Sequence, residues 1–201
     1  MIRLLPRFAR CDGGSSAAEF ALVLPLLLIF LFGIIDIGRA LWTWNQAEKA
    51  TQMGVRYAVV ANLVPGGLAS YNFATSGIPQ GDPVPPGSFG GAACLSTGCS
   101  CKSASCPWLG TTSSTAFTNI VNRMRLFMPV IQADNVRVDY DYAGLGYSGD
   151  PNGPDVAPLV TVRLTGIQFK PITLFAFSKN LTLPDFRAAL TLEDGDGTAS
   201  N

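Results

Sequence analysis

Apolar residues form one uninterrupted run near the N-terminus and shorter alternating runs in the second half of the chain. Residues Phe20–Ile35 carry no charge, and the small residues before them extend the run towards the ~20 apolar residues that a membrane-spanning helix needs. Trp42 and Trp44 follow, as aromatic side chains do at a membrane surface. The pattern predicts one helix over about residues 16–62 that leaves the bilayer near Trp42. A loosened turn is expected at Pro25, where a backbone donor is missing.

The part of this helix beyond the membrane has a moderately apolar face. Helical spacing places on that face Ile37, Leu41, Trp44, Thr51, Val55, Ala58 and Val59. We expect the face to pack against the chain's own folded domain, with a second subunit as the alternative.

The second half of the chain predicts a helix followed by strands. Residues 115–128 repeat apolar side chains at helical spacing, and Pro129 ends the run. Three segments then alternate, with apolar positions at Val136, Val138, Tyr140 and Tyr142, at Val160, Val162 and Leu164, and at Phe186, Ala188, Leu190 and Leu192. This period of two predicts an antiparallel sheet with one face on the long helix and one face in water. Residues 168–177 are predicted to be a short helix or loop.

Carboxylates occur in pairs at two places in this half. Asp139 and Asp141 share a strand face with Arg137, which predicts a charged, solvated face. Asp150 and Asp155 lie in a turn-rich connection. A surface loop is the favoured interpretation of this connection, and calcium binding by the two carboxylates is the alternative. Neither pair predicts a catalytic site, because no nucleophile, base and orienting group come together.

Composition restricts the function further. The chain has 201 residues, 48% of them apolar, which is enough for one modest domain with a core in addition to the membrane segment. Fourteen basic residues balance 14 acidic ones without a basic block, so nucleic-acid binding is not expected. The chain contains no histidine, which removes His-dependent catalysis and His metal ligands. We expect no enzyme activity, no cofactor and no bound metal.

Residues 63–114 are rich in Gly, Pro and Ser and predict a long loop insert. Its cysteines lie close together, at Cys94, Cys99, Cys101 and Cys106. We expect two disulfides, either Cys94–Cys99 with Cys101–Cys106 or Cys94–Cys101 with Cys99–Cys106, since joining Cys99 to Cys101 would be strained. A zinc site made of the four thiolates is the alternative. A catalytic thiol is less favoured because no histidine is present to activate it.

The residues before the apolar run indicate its orientation. Arg3, Arg7 and Arg10 place the N-terminus in the cytoplasm and the rest of the chain outside, where disulfides form. A cleaved secretory signal is disfavoured because no small-residue cleavage site follows the run. A plain single-pass anchor does not explain the charged Glu19 at the start of the apolar run, except that the helix dipole favours a carboxylate near a helix N-terminus.

The spacing between Gly14 and Glu19 suggests a different explanation. If the chain is cut after Gly14, Ser15 becomes the first residue and Glu19 the fifth, about one helical turn away. In a bundle of subunits the new amine could then meet the Glu19 carboxylate of a neighbour, so that each charge offsets the desolvation of the other.

These residues resemble a known family. Gly14, four small residues and Glu19-Phe20 ahead of an apolar helix look like the processing site of class III prepilins. Residues 17–28, with the later segment 33–40, are similar to the opening of TadE-like pseudopilins of the tight-adherence (Tad, or Flp) pilus system.

The resemblance implies a structural protein that supports pilus assembly, adhesion and biofilm formation. A prepilin peptidase would cut between Gly14 and Ser15, leaving the chain in the bacterial inner membrane with its domain in the periplasm. The implied partners are other Tad pseudopilins, the Flp pilin, the inner-membrane platform and membrane lipid. The alternative is an uncut membrane-anchored binding module whose insert recognises a periplasmic ligand.

The expected fold is therefore α+β and pilin-like, with a long N-terminal transmembrane helix packed on a small antiparallel sheet. We divide the chain into a basic leader, the helix, a Cys-rich insert, an α+β domain and an acidic tail, at residues 1–14, 15–62, 63–114, 115–193 and 194–201.

Overall fold

A computed structural model of the chain describes residues 15–103, 105–151, 153–173, 180–193 and 195. The basic leader, Gly14, Cys11 and all but Gly195 of the acidic tail lie outside these residues. The first element is helix α1, Ser15–Ala58, which continues through Pro25. It confirms the predicted long helix and ends four residues before the predicted end at Asn62.

The chain divides into two compact units. One unit contains the described residues of 1–42 together with those of 169–181, so a segment distant in sequence joins the N-terminal part of α1. The other contains residues 43–168 together with the described residues of 182–201.

The second unit is built around a five-stranded antiparallel sheet. Its strands are β1 (Ala92–Leu95), β2 (Gly98–Cys101), β3 (Val136–Asp141), β4 (Leu159–Leu164) and β7 (Phe186–Thr191), in the order β2-β1-β3-β4-β7. Residues at the predicted apolar positions meet across the strands, with Val162 opposite both Val138 and Ala188. The three strands predicted from alternating apolar residues are β3, β4 and β7; β3 is the central strand of the sheet and β7 is an edge strand.

Helices cover the apolar face of the sheet. Helix α3, Ser114–Arg125, begins at Ser113, whose side-chain oxygen accepts a hydrogen bond from Ala116 N. The C-terminal half of α1 lies against it at Gly54, where a Cβ atom would come within 2.8 Å of Met124 Cγ. Glycine is required there for close approach of the two helices. The core contains Ala47, Ala50, Val55, Ala58, Phe117, Ile120, Met124, Val138, Tyr140, Val160 and Val162.

Short elements complete the described chain. Helix α2, Pro86–Phe89, and the 3-10 helices Phe73–Ser76 and Ala133–Asn135 lie in the connections. Strands β5 (Gln168–Phe169) and β6 (Leu181–Thr182) form a separate two-stranded sheet.

Four details differ from the sequence predictions. The insert is not only loop, since it supplies β1 and β2 and enlarges the expected three-stranded sheet to five strands. Part of segment 168–177 is a strand rather than a helix or loop, and residues 174–177 lie outside the described part. The buried face of α1 begins near Ala47, whereas Ile37 and Leu41 are exposed. The sheet face expected in water buries Asp139 completely.

Candidate functional site

The first turns of α1 carry the residues predicted to direct processing and assembly. The helix begins at Ser15, directly after Gly14, which is outside the described residues. Glu19 and Phe20 lie one turn further on and both side chains are exposed, Phe20 by 64%. Four residues correspond to about 6 Å along a helix, so Ser15 N and the Glu19 backbone are about one turn apart.

An exposed apolar surface follows these residues. Within the described part of the chain, α1 is the helix that is long and apolar enough to cross a membrane. Its exposed side chains include Leu22, Val23, Leu26, Leu27, Ile29, Phe30, Ile34 and Ile37, with Leu26 72% exposed. The stretch Phe20–Ile35 is apolar on all sides and none of its residues is buried, which matches a lipid or subunit environment rather than a soluble core. This part of α1 is thus suited by length and composition to cross a membrane.

Asp36 ends the uncharged run, yet its side chain is almost fully buried. Its Oδ1 accepts a hydrogen bond from Ile172 N at 2.8 Å, and its Oδ2 accepts bonds from Thr173 N at 2.7 Å and Thr173 Oγ1 at 2.8 Å. Arg39 Nη1 is 3.1 Å from Oδ1. The carboxylate therefore joins two segments that are 136 residues apart in sequence, and we call this contact set the Asp36 clip.

Arg39 strengthens the same junction. Its guanidinium lies 5.4 Å from the centre of the Phe169 ring, and its Nη1 donates to Lys170 O at 3.4 Å. Sequence reasoning placed Asp36 and Arg39 only within a family pattern and assigned no partner. The available signal was a lone carboxylate at the end of an apolar run.

The insert cysteines form two disulfides. Cys94 pairs with Cys99, its direct neighbour across the β1–β2 hairpin, and Cys101 pairs with Cys106. This is the first of the two pairings left open by the sequence. It takes up all four thiols, which leaves none of them to ligate zinc.

Aromatic packing supports the disulfide-bonded insert. Trp108 is fully buried, its ring centre lies 4.5 Å from that of Phe89, and its Nε1 donates to Phe89 O at 2.6 Å. The insert is therefore a folded part of the second unit.

Asp139 sits at the centre of a charge cluster on the outer face of the sheet. Its Oδ1 lies 2.8 Å from Arg137 Nε and 3.0 Å from Lys102 Nζ, and its Oδ2 lies 2.7 Å from Arg163 Nε. Burial raises the pKa of Asp139, but hydrogen bonds from Arg137, Lys102 and Arg163 outweigh it and hold the pKa below its ordinary value. Asp141 also pairs with Lys102, at 2.8 Å. The charges of the predicted carboxylate pair, Asp139 and Asp141, are thus balanced by cations, and the pair has a structural role in the sheet.

Asp155, a calcium candidate, is a buried structural residue rather than part of a plain surface loop. Its Oδ2 accepts hydrogen bonds from Phe73 N at 2.6 Å and Gly149 N at 2.8 Å, and its Oδ1 accepts one from Asp150 N at 3.0 Å. A carboxylate surrounded by three N–H donors offers its lone pairs to the backbone instead of to a cation. Among the described residues, no cluster of three Cys, Asp or Glu side chains is arranged to hold a metal ion.

Comparison with known proteins finds a family resemblance in helix α1. The chain matches no curated protein and no solved structure. The family model described as TadE-like protein matches residues 14–56, which covers α1 almost from end to end and stops before the insert and the sheet. The resemblance drawn from the sequence is confirmed over this stretch: residues 14–56 are similar to TadE-like proteins.

Proposed function

We propose that this protein is a minor pilin, or pseudopilin, that supports assembly of Tad (Flp) pili and hence adhesion and biofilm formation. The observation that carries the proposal is the TadE-like segment at residues 14–56, which coincides with an exposed apolar helix. The TadE-like family is structural, and the proposed role is likewise structural: the chain is the substrate of a processing enzyme rather than an enzyme.

The proposed membrane placement follows from charge and disulfides. Arg3, Arg7 and Arg10 favour a cytoplasmic N-terminus, while the two disulfides favour an oxidising compartment for the second unit. In this placement the protein crosses the bacterial inner membrane once and presents its sheet domain in the periplasm. Its partners are other Tad pseudopilins, the Flp pilin and the inner-membrane platform.

Processing creates the proposed assembly group. A prepilin peptidase cuts between Gly14 and Ser15 and leaves a charged amine at the start of α1. That amine pairs with Glu19 of an adjacent subunit at the cytoplasmic boundary of the hydrocarbon core, where an uncompensated charge would be costly. The pair sets the axial register between helices whose other exposed side chains are apolar and unspecific.

The mature N-terminus tests the processing step. We expect N-terminal sequencing of protein from membranes to give Ser15 when the peptidase is active and Met1 when it is inactivated. The variant Gly14→Val should retain Met1 in both backgrounds because the β-branched side chain replaces the residue at the cut bond. Met1 in every sample would instead favour the uncut membrane-anchored binding module.

The register function of Glu19 has a separate test. Glu19→Gln preserves the shape of the side chain but removes its charge, so we expect membrane insertion to continue while pilus number falls sharply. Glu48→Gln is the matched control, for which we expect normal piliation. Glu48 lies on the same helix but in the second unit, and its Oε1 accepts a hydrogen bond from Trp44 Nε1. Normal piliation in Glu19→Gln, with Ser15 still the first residue, would overturn the charge-pairing mechanism.

A further inference from the structure

Asp36 lies at a depth where a carboxylate is expensive. Asp36 is the sixteenth residue after Phe20, which corresponds to about 24 Å along α1, whereas the hydrocarbon core of a bilayer is ~30 Å thick. Trp42, the interfacial aromatic, is a further ~9 Å along the helix. With the helix entering the core near Phe20, Asp36 is still within the outer leaflet.

The Asp36 clip offsets the desolvation cost of the carboxylate and also fixes the position of the segment that it binds. The carboxylate receives two backbone N–H groups, one hydroxyl and the Arg39 guanidinium, so its charge is fully hydrogen-bonded. The same bonds give acceptors to the N–H groups of Ile172 and Thr173, so these two groups carry no cost of unsatisfied donors at this level of the membrane. The segment around residues 170–173 is therefore held at the level of Asp36.

The composition of that segment suits lipid. Ile172 is 45% exposed, and Lys170 is exposed beside it. Residues 171–178 carry no charge in sequence, and Lys170 and Lys179 flank them as basic residues flank membrane-contacting stretches. At the same level of α1, Ile35 and Ile37 also expose their side chains.

We propose that the segment Lys170–Thr173 is a second membrane contact, held in the outer leaflet by the Asp36 clip, with lipid as its occupant. This inference rests on the membrane placement proposed above. It assigns Asp36 a positioning role: the residue fixes a membrane-contacting segment from the distant part of the chain beside the transmembrane helix. The segment would thereby resist tilting or rotation of the unit it shares with α1.

Depth-dependent fluorescence quenching tests the proposal on the full chain. The background variant Cys11→Ser removes the cysteine that is not in a disulfide. A new cysteine at position 172, 26 or 52 is then the one free thiol, and it can carry an environment-sensitive fluorophore. The labelled proteins are reconstituted into vesicles of phosphatidylethanolamine and phosphatidylglycerol with brominated acyl chains. Leu26 reports the membrane helix, and Gln52 is an exposed control on the part of α1 that belongs to the second unit.

We expect strong quenching at Ile172→Cys and Leu26→Cys and little at Gln52→Cys, with blue-shifted emission at the two quenched sites. Quenching at Leu26 with a Gln52-like response at Ile172 would overturn this inference alone. Absence of quenching at Leu26 would overturn the membrane placement and the inference together.

A clip variant tests the role of Asp36 itself. Asp36→Asn replaces one acceptor oxygen with an NH2 group that faces the N–H donors of the segment. We expect quenching at Ile172 to fall towards the Gln52 value while quenching at Leu26 stays unchanged. Unchanged quenching at Ile172 in this variant would show that the segment reaches lipid without the clip and would refute the positioning role.

Discussion

The buried carboxylate of Asp139 offers the sharpest test of the sheet domain. Its side chain is 0% exposed, while the side chains of Lys102, Arg137 and Arg163 remain 25%, 44% and 39% exposed. Arg137 and Arg163 lie directly opposite each other on β3 and β4, a like-charge arrangement that is unfavourable without an acid between them. Asp139 therefore holds together three cations that would otherwise repel one another.

Asp139→Asn keeps the size of the side chain but removes the charge. Whichever way the amide is turned, its NH2 group faces either Arg163 or the pair Lys102 and Arg137, so at least one donor meets a donor. Removing one partner from a buried ion pair costs ~3–5 kcal/mol, and because the cations are partly solvated we expect about 3 kcal/mol of lost unfolding free energy. Urea unfolding of the full chain in detergent micelles, followed by near-UV circular dichroism, measures the change.

Asp141→Asn is the matched control for this experiment. Asp141 also pairs with Lys102, but its side chain is 41% exposed, so an effect of about 0.5 kcal/mol is expected. Equal effects of the two substitutions, or a loss below about 1 kcal/mol for Asp139→Asn, would refute the argument that burial makes this carboxylate important.

The same cluster predicts a pH dependence. The pKa of Asp139 is lower in the folded chain than its ordinary value of 3.8, so its contribution to stability is complete above that value. As the pH falls through the folded-state pKa, the carboxylate is protonated and the contribution is lost. The stability difference between the wild type and Asp139→Asn should therefore be constant from neutral pH to about pH 5 and shrink below about pH 4. A difference that persists unchanged at pH 3 would contradict this assignment.

Three further substitutions test other contacts by the same urea unfolding. Gly54→Val should lower the free energy of unfolding by about 2 kcal/mol because the new side chain overlaps Met124 of the facing helix. Gly38→Ala is the control: Gly38 has no neighbour within 4 Å, so the stability of the second unit should not change. Equal effects of the two substitutions would contradict the close-approach argument. Asp155→Ala leaves backbone N–H groups buried without acceptors and should cost about 2–3 kcal/mol; a loss within error would show that water replaces the carboxylate. Replacing Cys101 and Cys106 by Ser opens a short loop and should cost about 2 kcal/mol under oxidising conditions but nothing after reduction; an equal cost in both would exclude the disulfide as its cause.

The elements that the sequence predicts well are those whose pattern reflects one dominant environment. Helix α1 is predictable because a long uncharged run has few alternatives to a membrane helix. Strands β3 and β4 are predictable because their alternate apolar side chains are all buried, and this burial imposes alternation. Strand β7 keeps the same alternation in sequence, although among its residues Phe186 is buried and Leu190 is exposed. Strands β1 and β2 were missed because each has four residues and is rich in small side chains, which leave no period to detect.

The contacts missed from sequence depend on partners far along the chain. Alternation correctly placed Asp139 on the outer face, but its burial comes from long cationic side chains, one of them Lys102 of the insert. The choice between two disulfide pairings needed the hairpin register, which sets Cys94 opposite Cys99. The interaction of Asp36 with Thr173 spans 137 residues and has no local sequence signature.

The two carboxylates that bracket the uncharged run of α1 show how charges can specify position on an otherwise uniform apolar helix. Lipid tails and neighbouring apolar side chains attract such a helix almost equally in every rotation and axial position, so apolar packing alone gives weak register. A buried charge gives strong register because only one position provides its partners. Asp36 finds those partners within its own chain, in the backbone of Ile172 and Thr173. In the proposed mechanism Glu19 finds its partner on another subunit, in the amine created at Ser15, so one carboxylate orients the protein and the other orients the assembly.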